Sequence, residues 1–132
     1  MVDSLFADSA TRVAKTALDG LSLRQQAISR NLSNIDTPGY QAQTVNFQET
    51  LKRLTQKNGS LALKLTNGAH LATINQQVGF STATRTGGTM RADMNNVDVD
   101  VEMTDMSEAG VQYQAVSQAI SKKLLLLKSL AR

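Results

Sequence analysis

The residues with the most chemical potential in this 132-residue chain cluster between Asp93 and Glu102. Asp93, Asn95, Asp98, Asp100 and Glu102 set side-chain oxygens at spacings close to those of a calcium loop. A loop beginning at Asp93 also needs an oxygen ligand at its fifth position and Glu at its twelfth, where the chain has Val97 and Thr104. Negative charge at the start of a helix accounts for the stretch instead. Met90, Met94, Met103 and Met106 offer soft sulfur ligands, yet their spacing suits packing in a core or an interface. His70, the single histidine, has no Ser or Cys partner in a recognisable motif. Gly87-Gly88 lacks the Lys and the strand-to-helix setting of a phosphate loop. Lys122, Lys123, Lys128 and Arg132 give a basic end, the one feature that would suit a small binding module for nucleic acid or an anionic membrane surface. No aromatic residue accompanies those cations for base stacking. The expectation is therefore a non-enzymatic protein with no metal, no cofactor and no nucleic-acid partner.

Composition points to the elements that must do the work. Ser, Thr, Asn and Gln total 43 residues, hydrophobic residues are 41% of the chain, and only five residues are aromatic. Such a chain forms helices readily but has little bulk for a core of its own, so order that depends on assembly is expected. The absence of Cys excludes disulfides, thiolate zinc sites and Cys nucleophiles together. A net charge of +3 is too modest to imply nucleic acid. The first twenty residues carry Asp3, Asp8, Arg12 and Lys15 and no unbroken apolar stretch, so no cleavable secretory signal is expected. The longest apolar run, Leu124 to Leu127, falls far short of a membrane span.

Three segments separate by pattern: 1–36, 37–96 and 97–132. From 4 to 35 the chain reads as one helix, with Ala7, Ala14, Leu21, Ile28 and Ile35 recurring every seven residues and Leu18, Gln25 and Leu32 between them. That alternation is the seam of a coiled coil. Thr37-Pro38-Gly39-Tyr40 must end the helix, because Pro38 sets φ for a turn and Gly39 supplies the positive φ of a type II turn. In the middle segment Phe47, Leu51 and Leu54 suggest a short helix, Leu61, Leu63 and Leu65 alternate as in a candidate β-hairpin, and 79–96 reads as an extended or mobile loop. A second long helix follows from about Asp98, although the Val97 to Val101 alternation leaves a brief strand open. Its row of Met106, Gly110, Tyr113, Ser117, Ile120, Leu124 and Leu127 again steps by four and three.

The fold class expected is mainly α, with two long terminal helices paired as a coiled coil around a short irregular middle. Helix–helix assembly is assigned to Ala14, Leu18, Leu21, Ile28 and Leu32 on one side and Met106, Tyr113, Ile120, Leu124 and Leu127 on the other. Further rows, Val13, Ala17 and Ala27 with Ala109, Val116 and Ala119, are apolar too. A helix with two apolar rows needs more than one neighbour, which points to self-association.

The stretch from Asn31 to Tyr40, Asn-Leu-Ser-Asn-Ile-Asp-Thr-Pro-Gly-Tyr, resembles the signature of the bacterial flagellar rod and hook family, with Ser33 where many relatives carry Ala. Within it the residues that carry the likeness are Asn31, Leu32, Asn34, Thr37, Pro38, Gly39 and Tyr40. Asn96-Val97-Asp98, Glu102-Met103, Tyr113-Gln114-Ala115 and the short middle from Leu61 to Leu71 are similar to the proximal-rod branch of that family. The resemblance covers nearly the whole chain. It implies a structural subunit of the flagellar basal-body rod, self-assembling into a helical tube that transmits torque across the periplasm. It also implies export by the flagellar type III apparatus without a cleaved signal. Phe47 and Leu51 are similar to the pattern recognised by the export gate. The partners implied are further copies of the chain, other rod proteins such as FlgC, the adaptor FliE, the membrane-embedded ring and, during secretion, the gate itself.

Overall fold

The computed structural model describes residues 9–56 and 80–130. In chain order the elements are α1 (Ser9–Ser33), β1 (Gln43–Asn46), α2 (Gln48–Gln56), β2 (Ser81–Thr84) and α3 (Val99–Leu130). The two long helices pack along each other as a hairpin, and the small elements pack beside the half nearest the turn.

Each boundary has a local cause. α1 closes with tightened bonds from Asn34 N to Asn31 O and from Ile35 N to Leu32 O. Tyr40 N then donates to Thr37 O, and Gly39 sits at φ 72° as the expected turn requires. α3 starts one residue after Asp98, whose Oδ1 accepts from Asp100 N at 3.0 Å and Val101 N at 3.4 Å. That side-chain cap decides for helix over strand at the Val97 to Val101 alternation.

β1 and β2 form a two-stranded antiparallel sheet in the register Gln43 with Thr84 to Asn46 with Ser81. This pairing is absent from the sequence expectation, which leaves 41–46 unassigned and reads 79–96 as loop. Every residue of β2 is exposed, so no apolar alternation marks it. The short helix over Phe47, Leu51 and Leu54 is present as α2. The side chain of Leu54 lies outside the described residues, as do Leu61, Leu63, Leu65 and His70 and the ends 1–8 and 131–132.

The core brings together Leu21 and Ala27 of α1, Val45 of β1, Phe47 between β1 and α2, and Ala109 of α3, with Leu51, Phe80 and Val116 packed against it. Gly20 is the point of closest approach. A Cβ there would lie 2.8 Å from Phe47 Cβ and 3.0 Å from Phe80 Cε1, so only glycine lets the two rings reach the helix. Farther from the turn the hairpin is two helices wide, and an apolar dent of about 160 Å³ lies between Ala10 and Ala14 on α1 and Ala119, Ile120 and Leu124 on α3.

Candidate functional site

Asn31, in the last turn of α1, is fully buried and uses all its hydrogen-bonding capacity. Its Nδ2 donates to Gln43 O at 2.9 Å and Glu102 Oε1 at 3.1 Å. Its Oδ1 accepts from Gln43 N at 2.9 Å and Tyr40 OH at 3.2 Å. One side chain thus joins α1 to the edge of β1, to the signature tyrosine and to α3.

Two asparagines before α3 complete the clamp. Asn95 Nδ2 stands 2.9 Å from Asn34 O, 3.0 Å from Ile35 O and 2.9 Å from Thr37 O, so its two hydrogens are shared among carbonyls that the end of α1 leaves without helical partners. Its Oδ1 accepts from Val97 N at 2.7 Å. Asn96 Oδ1 accepts from Ala42 N, and its Nδ2 donates to Arg85 O. Gly39 N to Asp93 O and Arg91 Nη1 to Ile35 O continue the zipper between the turn and the segment that leads into α3.

Glu102 is the charged centre. It is fully buried, and its Oε1 meets both Asn31 Nδ2 and Arg85 Nη1, the latter at 3.0 Å. Its Oε2 has no hydrogen-bond partner among the described residues. Burial pushes the Glu102 carboxyl above the usual carboxylate range; the Asn31 bond and the Arg85 charge oppose this, while Asp105 and Asp98 add to it. Arg85 also pairs with Asp105 at 2.7 Å, and Arg24 on α1 reaches Asp105 at 3.2 Å and Glu108 at 3.7 Å. The ladder crosses from α1 to α3 and on to the residue that follows β2.

The signature residues are therefore structural ties. Asn34 Nδ2 donates to Arg30 O, Thr37 Oγ1 donates to Asn34 Oδ1, and Leu32 is half-buried. Sequence reasoning missed the partners of Asn31. The sequence places Asn95 and Glu102 in one stretch explained by helix-start charge, and Glu102-Met103 among the segments of family likeness, whereas the structure buries both side chains. The Asn95-Asn96 pair next to a helix start was the available signal, because adjacent buried amides need backbone partners.

The assembly rows divide. Leu21 is 2% exposed and Ile28 is also buried, while Ala14, Leu18 and Leu32 are half-buried. On α3 the buried positions are Glu102 and Ala109, with Val116 packed against the core. Met106, Ile120 and Leu127 flank that row half-buried, but Tyr113 and Leu124 are exposed. The expected α3 seam thus sits at the edge of the contact, since small Ala109 lets the helices approach and polar Glu102 must face Asn31. Val111, Leu125 and Leu126 point outward at 69%, 65% and 66% exposure. Phe47 is buried and Leu51 half-buried. Met90, Met94 and Met103 are at the surface rather than in the core. Lys122 and Lys128 are exposed, Lys123 Nζ contacts Thr11 Oγ1 at 3.2 Å, and Arg132 lies outside the described residues.

A family model described as flagella basal body rod protein matches residues 12–41, the part of α1 and the turn that holds Asn31 and its signature neighbours. The flagellar basal body rod protein FlgB of Bacillus subtilis is 31% identical over 115 residues, 87% of each chain. FlgB of Escherichia coli is 33% identical over 131 residues, covering 94% of this chain and 92% of that one. FlgB of Salmonella typhimurium is 33% identical over 119 residues, 86% of this chain and 85% of its own. With identity at that level spanning both long helices and the clamp between them, the chain belongs to the FlgB family of flagellar basal body rod proteins.

Proposed function

We propose that this chain, a structural component of the flagellar basal body rod and not an enzyme, is a proximal-rod subunit that self-assembles through its terminal helices into a helical, torque-bearing tube. The observation that carries this reading is the outer side of α3: Val111, Leu125 and Leu126 are exposed although Ala109 and Val116 already serve the hairpin, and Tyr113 and Leu124 are exposed at the edge of that contact. Apolar rows on two sides of one helix call for neighbours from other subunits. The clamp supports torque-bearing, because it locks the end of α1 to the start of α3 through bonds that resist shear. FlgC, FliE and the membrane-embedded ring are the further neighbours proposed, in a rod that crosses the periplasm.

Export by the flagellar type III apparatus, without a cleaved signal, belongs to the same reading. Phe47 is buried beneath Gly20, so a gate that reads Phe47 and Leu51 meets the chain unfolded.

The two seam positions separate folding from assembly. Leu124→Asp changes an exposed residue, and the purified variant is expected to keep its helical circular dichroism while flagellar rods fail to form in cells. Leu21→Asp puts a charge into the core and is expected to abolish the fold itself. Normal rods built from Leu124→Asp subunits would overturn the proposal.

A further inference from the structure

Among the described residues, Glu102 Oε2 is the buried side-chain polar atom that has no hydrogen-bond partner. Both donors that reach this fully buried carboxyl, Asn31 Nδ2 and Arg85 Nη1, meet the other oxygen, Oε1. A buried carboxylate spreads its charge over two oxygens and calls for donors at each. A neutral carboxyl differs, because its carbonyl oxygen accepts while its hydroxyl oxygen needs no donor. The contacts of Glu102 are divided in the second way. The surrounding charges lean in the same direction. Asp98 stands four residues before Glu102 and Asp105 three after it, so both flank it along the start of α3. Arg85, after β2, divides its guanidinium between Glu102 at 3.0 Å and Asp105 at 2.7 Å. Arg24, from α1, goes to Asp105 and Glu108, and Tyr40 approaches only through Asn31 Oδ1. Three carboxylates, Glu102, Asp105 and Glu108, are thus linked to two guanidinium groups, and of the three Glu102 alone is closed to water. Burial raises its carboxyl against the opposing Asn31 bond and Arg85 charge.

We infer that Glu102 is a proton-binding site that couples closure of the clamp between α1 and α3 to pH, the closed hairpin holding a proton there over a range in which the open chain holds none. Uptake of the proton does not open the clamp. Asn31 Nδ2 still donates to the carbonyl oxygen, and Arg85 retains Asp105. Acid therefore favours the closed hairpin at this site. The contribution is fully present below the unfolded value of 4.5 and is lost as pH rises through the higher folded one. The inference concerns the hairpin of a single chain and does not rest on the rod-subunit reading.

Urea unfolding of the full chain, followed by circular dichroism from about pH 4.5 to about pH 7.5, tests it beside Glu102→Gln. Gln keeps an Oε1 acceptor for Asn31 and is neutral at every pH. The folded-to-unfolded ratio of the parent is expected to fall relative to the variant as pH rises, by up to about tenfold per pH unit between the two Glu102 values, and then to level off. Parallel pH profiles, or a relative rise, would overturn the inference. The carbon-13 carboxyl resonances of the three glutamates, Glu49, Glu102 and Glu108, give a second reading on the parent alone, which holds even where the Gln variant does not fold. Folded parent is expected to show a Glu102 midpoint above 4.5, and a midpoint at or below that value would overturn the inference. In Asp105→Asn one negative charge is gone and Arg85 is left to Glu102, so the midpoint is expected to move down. A midpoint that stays in place or rises in this variant would also overturn it.

Discussion

Replacing Asn31 with Asp keeps the shape of the side chain and removes its two donors, which makes it the most incisive test of the clamp. The carboxylate could still accept from Gln43 N and Tyr40 OH, but the donations to Gln43 O and Glu102 Oε1 would be lost. The first is a neutral bond of about 1 kcal/mol and the second involves a charged acceptor, about 1.5–3 kcal/mol, so a loss of about 2.5–4 kcal/mol is expected near neutral pH. That is a large part of the 5–15 kcal/mol typical of a domain's stability (about 0.1 kcal/mol per residue). The cost should depend on pH with a definite sign. Glu102 has a folded-state pKa above its ordinary value of 4.5, so its protonation favours the folded chain. That stabilisation is complete below the unfolded value and is lost as pH rises through the raised one. A second carboxylate placed against Glu102 strengthens the effect, because the two groups would share a proton. Urea unfolding of parent and variant, followed by circular dichroism at about pH 7 and about pH 5, should therefore show a smaller difference at the lower pH. A difference below about 1 kcal/mol at neutral pH, or an equal loss at both values, would refute the assigned roles of Asn31 and Glu102.

Two further substitutions probe other parts of the structure. Gly20→Ala should lower the thermal midpoint: the gain in helix propensity is about 1 kcal/mol, but crowding against Phe47 and Phe80 costs about 1–3 kcal/mol. A raised midpoint would mean that the two rings yield freely. Asn95→Ala strips an amide from three carbonyls and an acceptor from Val97 N, at about 2–3 kcal/mol, and should speed amide exchange and proteolysis across 34–40. Unchanged protection there would refute its role as the tie beneath the turn.

The long helices were legible because their signal is local and repeated. Leu21 and Ile28, seven residues apart, are buried as their period requires, and Pro38-Gly39 ends the first helix where two backbone constraints coincide. The choice of row on α3 was not legible. Tyr113 with Leu124 and Ala109 with Val116 are both apolar lines, and a periodicity cannot rank them. The choice comes from the partner side, where Asn31 must meet Glu102 and Ala109 fits the close approach near Leu21. The sheet was hidden for a related reason: β2 is exposed throughout, and its pairing to β1 joins residues far apart in sequence.

The family is written in a ten-residue stretch, and so are the positions of the turn and of both helices, because each depends on neighbours a few residues away. What the stretch does was settled only in three dimensions. Asn31 and Asn95 are 64 positions apart, and neither amide alone says which backbone groups it will satisfy. Folding brings a helix end whose last carbonyls lack helical partners, a strand edge and a buried carboxylate to one place, and the low dielectric there makes every unmatched polar atom costly. That cost, set by burial and invisible in any local pattern, turns a string of small polar residues into the lock between the two helices.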